Sequence, residues 1–208
     1  GFGLDSVIRS RAPRVAGILN GVDYTAWNPE TDHFIATNYS AADLAGKREC
    51  KAALLRAFPH MDQDLDRPLI GIVSRFTPQK GFDLIAHVAK ELAAEEMGLV
   101  VLGSGDQHYV GMFDSLAASF PEKIGVYIGY HNELAHKIEA GADMFLMPSR
   151  YEPCGLNQIY SLKYGTVPIV RSTGGLDDTI DAETGFKFQH YDGTGLMWAV
   201  RQALEAFE

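Results

Sequence analysis

From Pro68 to Val170 the chain alternates short, uninterrupted apolar runs with stretches of helical periodicity. "LIGIVS" is followed by Phe82, Ile85, Val88, Ala89 and Leu92. "LVVLG" is followed by "FDSLAASF", "IGVYIG" by "ELAHKIEA" and "DMFLMP" by "NQIYSLKYG", and "TVPIV" closes the series. A strand with one face in water alternates apolar and polar residues, so continuous runs mean burial on both faces. Parallel strands sandwiched between helices meet that condition. The expected fold is therefore α/β, a Rossmann-like doubly wound parallel sheet. Ligands of such sheets lie beyond the carboxyl ends of the strands, which directs attention to the strand-to-helix loops.

The rest of the composition narrows the function classes. Hydrophobic residues make up 46% of 208 residues, enough for a filled core. The formal net charge is −9, from 18 Lys plus Arg against 27 Asp plus Glu, which argues against a nucleic-acid partner or an anionic membrane surface. Cys50 and Cys154 are far apart and show no CxxC or Cys/His ligand spacing, so neither a zinc site nor a disulfide framework is expected, and a reducing compartment follows. The apolar runs fall short of the roughly 20 residues of a membrane helix, and no signal-peptide pattern opens the sequence.

Residues 1–39 are rich in Gly, Asn, Pro and Thr and read as a connecting segment, which leaves 40–208 as the folded domain. The initial Gly1 and the helix-like ending "MWAVRQALEAFE" suggest a piece of something longer. In "YSAADLAGKRECKAALLRAF", Ser40 with Asp43 resembles a capping box, and Leu44, Ala53, Leu54 and Phe58 suit one helix face.

Five loops carry candidate chemistry. In "SRFTPQKG", Arg75 offers a planar fork and Lys80 a mobile point charge just before a helix N-terminus, a combination suited to phosphate; the bland alternative is two solvated cations. "VLGSGDQHY" begins like a dinucleotide fingerprint at Gly103 and Gly105, but His108 stands at the third glycine position, so a tight turn is expected instead. In "IGYHNELAH", Tyr130 could stack on a base or simply pack, while His131 and His136 lack metal spacing and read as surface or capping residues. In "SRYEPCGLNQ", Glu152 is an acceptor-only group at a strand's carboxyl end, able to take two hydrogen bonds from sugar hydroxyls. Cys154 there could be a packing residue, Gly155 marks a turn, and a helix starting near Leu156 would turn free N–H groups outward. In "RSTGGLDDTI", Thr173, Gly174 and Gly175 leave backbone N–H groups unshielded, and Asp177 and Asp178 start the next turn.

Together these pieces closely resemble the ADP-glucose-type bacterial glycogen synthases and plant starch synthases. The resemblance runs through "GILNGVDYTAWNP", "GIVSRFTPQKGFDL", "IGYHNELAHKIEAGADMFLMPSRYEPCGLNQIYSLKYGTVPIVRSTGGLDDT" and "TGFKF". It implies the C-terminal, donor-binding domain of a GT-B glycosyltransferase, whose N-terminal domain, with a Lys-x-Gly-Gly motif, a catalytic-site His and most of the glucan surface, has no counterpart here. Carried over, it implies that Arg75 and Lys80 hold the donor diphosphate and that Glu152 contacts the glucosyl ring, these three being the catalytic set. Tyr130 would stack on adenine, Cys154, Gly155 and Leu156 would line the sugar and phosphate pocket, and Thr173, Gly174 and Gly175 would lie near it.

Two positions depart from the pattern. Tyr160 stands where many retaining enzymes of this architecture carry a second Glu, which puts that residue's ribose contact in doubt, and Asn157 replaces a frequent Thr while keeping a hydrogen-bond donor for the substrate. The implied reaction moves glucose from ADP-glucose to the non-reducing 4-hydroxyl of an α-1,4-glucan with retention, with no cofactor and no metal, in the bacterial cytoplasm or, in a plant, the plastid. The rivals are a UDP-glucose-dependent GT-B transferase, such as a sucrose or trehalose-phosphate synthase, a nucleotide-sugar module inactive without its partner domain, and a nicotinamide oxidoreductase. The broken GxGxxG opposes the last.

Overall fold

The computed structural model describes residues 3–207. Six strands form one sheet: β1 (Leu69–Phe76), β2 (Gly98–Gly105), β3 (Ile124–Ile128), β4 (Met144–Met147), β5 (Val167–Arg171) and β6 (Phe186–Phe188). All neighbours are parallel, in the order β3-β2-β1-β4-β5-β6, the doubly wound arrangement with its reversal between β1 and β4. The helices are α1 (Asp5–Ser10), α2 (Ala45–Arg56), α3 (Phe82–Ala94), α4 (Gln107–Ser119), α5 (Asn132–Gly141), α6 (Asn157–Lys163), α7 (Gly175–Thr179) and α8 (Gly193–Glu205). Among the described residues no helix is long and apolar enough to cross a membrane.

Two-sided burial is visible residue by residue. Ile70, Ile72, Leu99, Val101, Met144 and Leu146 face a core made with α3, α4 and α8, centred on Phe76, Phe82 and Phe113. Their neighbours Leu69, Val100, Leu102 and Phe145 face the opposite core with α2 and α5. Successive side chains of a strand point to opposite faces, so an unbroken apolar run fills both layers. The strand missing from the sequence reading is β6, whose three residues "FKF" include a Lys and are too short to register as an apolar run.

Three local expectations are corrected. Ser40 and Asp43 do not cap a helix as a box; they exchange backbone bonds of 3.1 Å across a turn, and α2 begins only at Ala45, whose N–H donates to Asp43 Oδ1. Leu44 is accordingly exposed just before the helix. Gly103 and Gly105 are not a turn but the last residues of β2, paired with Ser74 and Phe76.

His136 is the third correction, being neither surface nor cap. It is buried, with Nδ1 2.8 Å from Asp32 Oδ2, and the Tyr164 hydroxyl donates to the same oxygen at 2.5 Å. Burial works to raise the Asp32 pKa, but the bonds from His136, Tyr164 and the Phe34 N–H outweigh it and hold the carboxyl below its usual range. Trp27 lies flat between His136 and Tyr160, with ring centroids at 3.8 and 4.1 Å. The Tyr39 hydroxyl donates to the Tyr164 carbonyl at 2.8 Å, so residues 27–39 are fastened to α5 and α6. His131, by contrast, does cap α5, its Nδ1 accepting from the Leu134 N–H.

Behind α6 lies a second buried carboxyl. Ser161 Oγ is 2.7 Å from Glu139 Oε2 and 2.8 Å from the Asn157 carbonyl, and one hydroxyl proton cannot serve both. A neutral Glu139 resolves this by donating to Ser161, which then donates to Asn157. Burial favours that form, pushing the Glu139 pKa up to about 8. Lys47 is half-buried by area, but its ammonium is enclosed by Ala140 O, Tyr164 O and Thr166 Oγ1, and burial pushes it down to about 8. Between about pH 4.5 and 8 the native chain keeps the Glu139 proton that the unfolded chain releases, so stability falls as pH rises through that window. Lys47 acts in the opposite sense only above about pH 8. We expect Glu139→Gln to raise stability at pH 8 by roughly 1–2 kcal/mol and to flatten the decline from pH 5 to 8, read by urea unfolding at a series of pH values.

Candidate functional site

The reversal of strand order makes the cleft. β1 and β4 pair only at Ile70 with Met144 and Gly71 with Phe145; β1 then runs on to Phe76 while β4 ends at Met147. The Val73 carbonyl, left without a β4 partner, accepts from Asn157 Nδ2 at 2.9 Å, which ties the first residue of α6 to β1. Between them opens a cavity of about 210 Å³ lined by residues including Arg75, Lys80, Ser149, Gly155, Leu156 and Asn157. Five of the residues singled out from sequence therefore share one cleft, at the carboxyl ends of the strands.

The loop after β1 folds back as a short 3-10 turn, Pro78–Lys80, and ends at Gly81, whose φ of 83° suits glycine. A Cβ there would sit 2.1 Å from the Pro148 carbonyl oxygen. The bare Cα lets this loop lie against the one after β4. The Arg150 N–H donates to the Gln79 carbonyl at 2.9 Å and Gln79 Nε2 to the Tyr151 carbonyl at 3.3 Å. Across that seam Lys80 Nζ meets Glu152 Oε2 at 2.5 Å, and Ser149 Oγ donates to the same oxygen at 3.3 Å. Glu152 is buried with 8% of its side chain exposed, so its charge is compensated by a cation and a hydroxyl rather than by water. Arg75 is exposed and forms no ion pair among the described residues.

Gly174 and Gly175 sit behind this loop. Cβ atoms on them would fall 2.1 Å from the Glu152 and Cys154 carbonyl oxygens, and the Gly175 N–H donates to the Glu152 carbonyl at 3.0 Å. That N–H is thus engaged by the chain itself, and the glycine pair brings the loop after β5 close enough to support Glu152 from below. Cys154 Sγ accepts from the Asn20 N–H at 3.3 Å, which brings the early segment to the rim. Glu152, Cys154, Thr173, Gly174 and Gly175 do not themselves line the cavity; Glu152 reaches it only through its contacts with Lys80 and Ser149, which do. Tyr130 stands apart on the loop after β3, 88% exposed, with an uncovered ring. Ser149 and Gln79 were missed from sequence; Ser149 lies inside the quoted "PSRYEPCG" block, whereas nothing marked Gln79.

A larger groove, about 1180 Å³, lies at the opposite, amino-terminal edge of the strands. Most of its cations are already paired: Lys51 with Asp143 at 2.6 Å, Arg48 with Asp66, Arg67 with Asp62 and Glu96, and Arg201 with Glu95, while Lys47 is bound by two carbonyls and a hydroxyl. The smaller cleft, with Arg75 unpaired, is the one equipped for an anion. Among the described residues no group of three or more His, Cys, Asp or Glu could hold a metal ion.

A parallel sheet whose strand order reverses above a cationic cleft defines the class as a nucleotide-type Rossmann domain. Residues 57–207 match the family model for glycosyl transferases group 1, and the chain belongs to that family. Within it, the chain is 59% identical to a glycogen synthase of Koribacter versatilis and 50% identical to glycogen synthase 1 of Geobacter metallireducens, over 100% and 96% of its own length. It covers 44% and 42% of those proteins, so it spans less than half the length of the curated relatives it matches. Among solved structures it superimposes on the catalytic domain of starch synthase IV from Arabidopsis thaliana, bound to ADP and acarbose, with a TM-score of 0.90 and 36% identity over 99% of this chain and 44% of that one. The fold is the one expected of the C-terminal domain of a GT-B glycosyltransferase.

Gly175→Ala tests the supporting role of the glycine pair. The added methyl forces the loop after β5 away from residues 152–154, and we expect a loss of about 1–3 kcal/mol of stability in chemical denaturation.

Proposed function

We propose that this chain is the donor-binding half of a retaining hexosyltransferase, a glycogen or starch synthase, which passes glucose from ADP-glucose to the non-reducing 4-hydroxyl of an α-1,4-glucan. The observation that carries the reading is Lys80 in the cleft between β1 and β4, backed by Glu152 behind it and with Arg75 lining the same cleft. The similarity to glycogen synthases, and to a starch synthase domain that binds ADP, supports the adenine nucleotide over its uridine counterpart. Residues 1–39 would then serve as the connection to the other half, docked on this domain through Trp27, and a cytoplasmic setting suits a bacterial enzyme of this kind.

In this scheme charge builds on the departing diphosphate while the sugar becomes oxocarbenium-like. Arg75 and Lys80 stabilise that charge as cations placed where it develops. An arriving diphosphate competes with Glu152 for the Lys80 ammonium, so donor binding and orientation of the carboxylate are coupled. Glu152 then accepts hydrogen bonds from glucosyl hydroxyls. A nucleophilic role for it is disfavoured, since its Oε2 is already engaged by the Lys80 ammonium and the Ser149 hydroxyl. Tyr130 would cover the adenine face, and Gly155, Leu156 and Asn157 would close the floor beneath the sugar phosphate.

Calorimetric titration with ADP, ADP-glucose and UDP-glucose tests the reading. We expect saturable binding of the two adenine ligands, weakened about tenfold or more in Arg75→Ala, as befits a lost charge-assisted hydrogen bond. Preference for UDP-glucose would favour the rival transferases, and absence of binding even with the other half restored would overturn the site. In the two-domain enzyme Glu152→Ala should abolish turnover; a glucosyl adduct on Glu152 in the wild type, seen by mass spectrometry, would instead establish a nucleophile.

A further inference from the structure

A second set of contacts runs parallel to the Lys80–Glu152 pair, just outside the cleft. Asp83 lies three residues after Lys80, in the first turn of α3, and Arg150 lies two residues before Glu152. Arg150 Nη2 meets Asp83 Oδ2 at 2.7 Å, and the Tyr191 hydroxyl donates to Asp83 Oδ1 at 2.5 Å. The Tyr191 ring is flanked by two guanidinium groups, Arg150 at 4.7 Å and Arg171 at 5.2 Å from its centroid. Arg171, the last residue of β5, donates from Nη1 to the Arg150 carbonyl at 2.6 Å and to the Ser149 carbonyl at 3.3 Å. Burial, followed by the bond to Asp83, pushes the Tyr191 pKa up to about 12, which keeps its hydroxyl a donor at neutral pH.

We propose that Asp83, Arg150, Arg171 and Tyr191 form a clasp that sets the separation of Lys80 from Glu152, and that they are positioning residues for the donor. The inference deepens the transferase reading and rests on it for the identity of the ligand.

Two observations separate this role from ordinary fold stability. The Asp83–Arg150 pair is partly exposed, with 34% and 58% of the side chains accessible, and pairs open to water contribute little to folding. Yet each end is held further: both Asp83 oxygens are engaged, and the backbone of residues 149–150 is gripped by Arg171 from a neighbouring strand. None of the four lines the cavity. What they share is attachment to the two loops that carry Lys80 and Glu152, with β5 and the segment after β6 as the fixed base.

The test uses the chain as it stands. Asp83→Asn and Arg171→Gln should weaken ADP-glucose binding about 5- to 30-fold while leaving the urea midpoint nearly unchanged, and Arg171→Lys should recover part of the loss. In a Lys80→Ala background Asp83→Asn should add no further loss, because the clasp acts through that lysine. Undiminished affinity in both single variants, or an equal loss with and without Lys80, overturns the proposal. A readout without nucleotide decides it separately: hydrogen exchange at the Arg150 amide, which bridges the two loops, should quicken about tenfold in Arg171→Gln while the Ile72 and Val101 amides stay protected. Failure of the wild type to bind ADP-glucose even with the other half restored would then sink the transferase reading alone, and unchanged exchange at Arg150 would sink the clasp alone.

Discussion

The site depends on the contact between the loop after β1 and the loop after β4. Parallel neighbours ordinarily stay paired along their length, but here pairing stops after two residues and β1 continues without a partner on that side. Divergence exposes backbone that must be satisfied, and the chain does so with Asn157 on the Val73 carbonyl and with Gln79 on the loop after β4. Gly81 is what allows the two loops to touch, since any side chain there would meet the Pro148 carbonyl. Lys80 and Glu152 are brought together because residues beside each of them are locked to one another.

Much of this was legible in the sequence, for a physical reason. Continuous apolar runs such as "LVVLG" can be stable only in a sheet covered on both faces, so the fold followed from the strands alone. Arg75, Lys80 and Glu152 were visible as charges placed just past those strands. Partners set by tertiary approach were not. His136 looks like a surface residue of an amphipathic helix, and only Asp32, 104 residues away along the chain, explains why it is buried. Likewise "TGG" reads as exposed backbone, whereas the structure brings Gly175 against Glu152 and Cys154, a contact no local pattern encodes.

Support for the site extends through buried polar groups on its far side. α6 contributes Asn157 to the cleft, and the same short helix is held by Tyr160 against Trp27 and by Ser161 against Glu139. A seven-residue helix has little stability of its own, so its placement rests on these tertiary contacts. The segment before the sheet therefore steadies the wall of the cleft as well as reaching its rim at Cys154.

Charge decides how such a cleft can accept a diphosphate on a chain whose net charge is −9. Most of the excess acid is distant and exposed, and exposed charges more than about 8 Å apart are largely screened at physiological ionic strength. Local balance matters more. Lys80 is already matched by Glu152, so Arg75 is the one cation at the cleft without an ion-pair partner among the described residues. Under the proposed function, a diphosphate would bring more negative charge than one guanidinium offsets, and the remainder would be met by drawing Lys80 from Glu152 and by N–H groups around Gly155 to Asn157. Drawing Lys80 away frees a buried carboxylate, which is stable only if hydroxyl donors replace the ammonium. A glucosyl group supplies such donors and inorganic diphosphate does not, so under the proposed function the pairing would favour the sugar nucleotide.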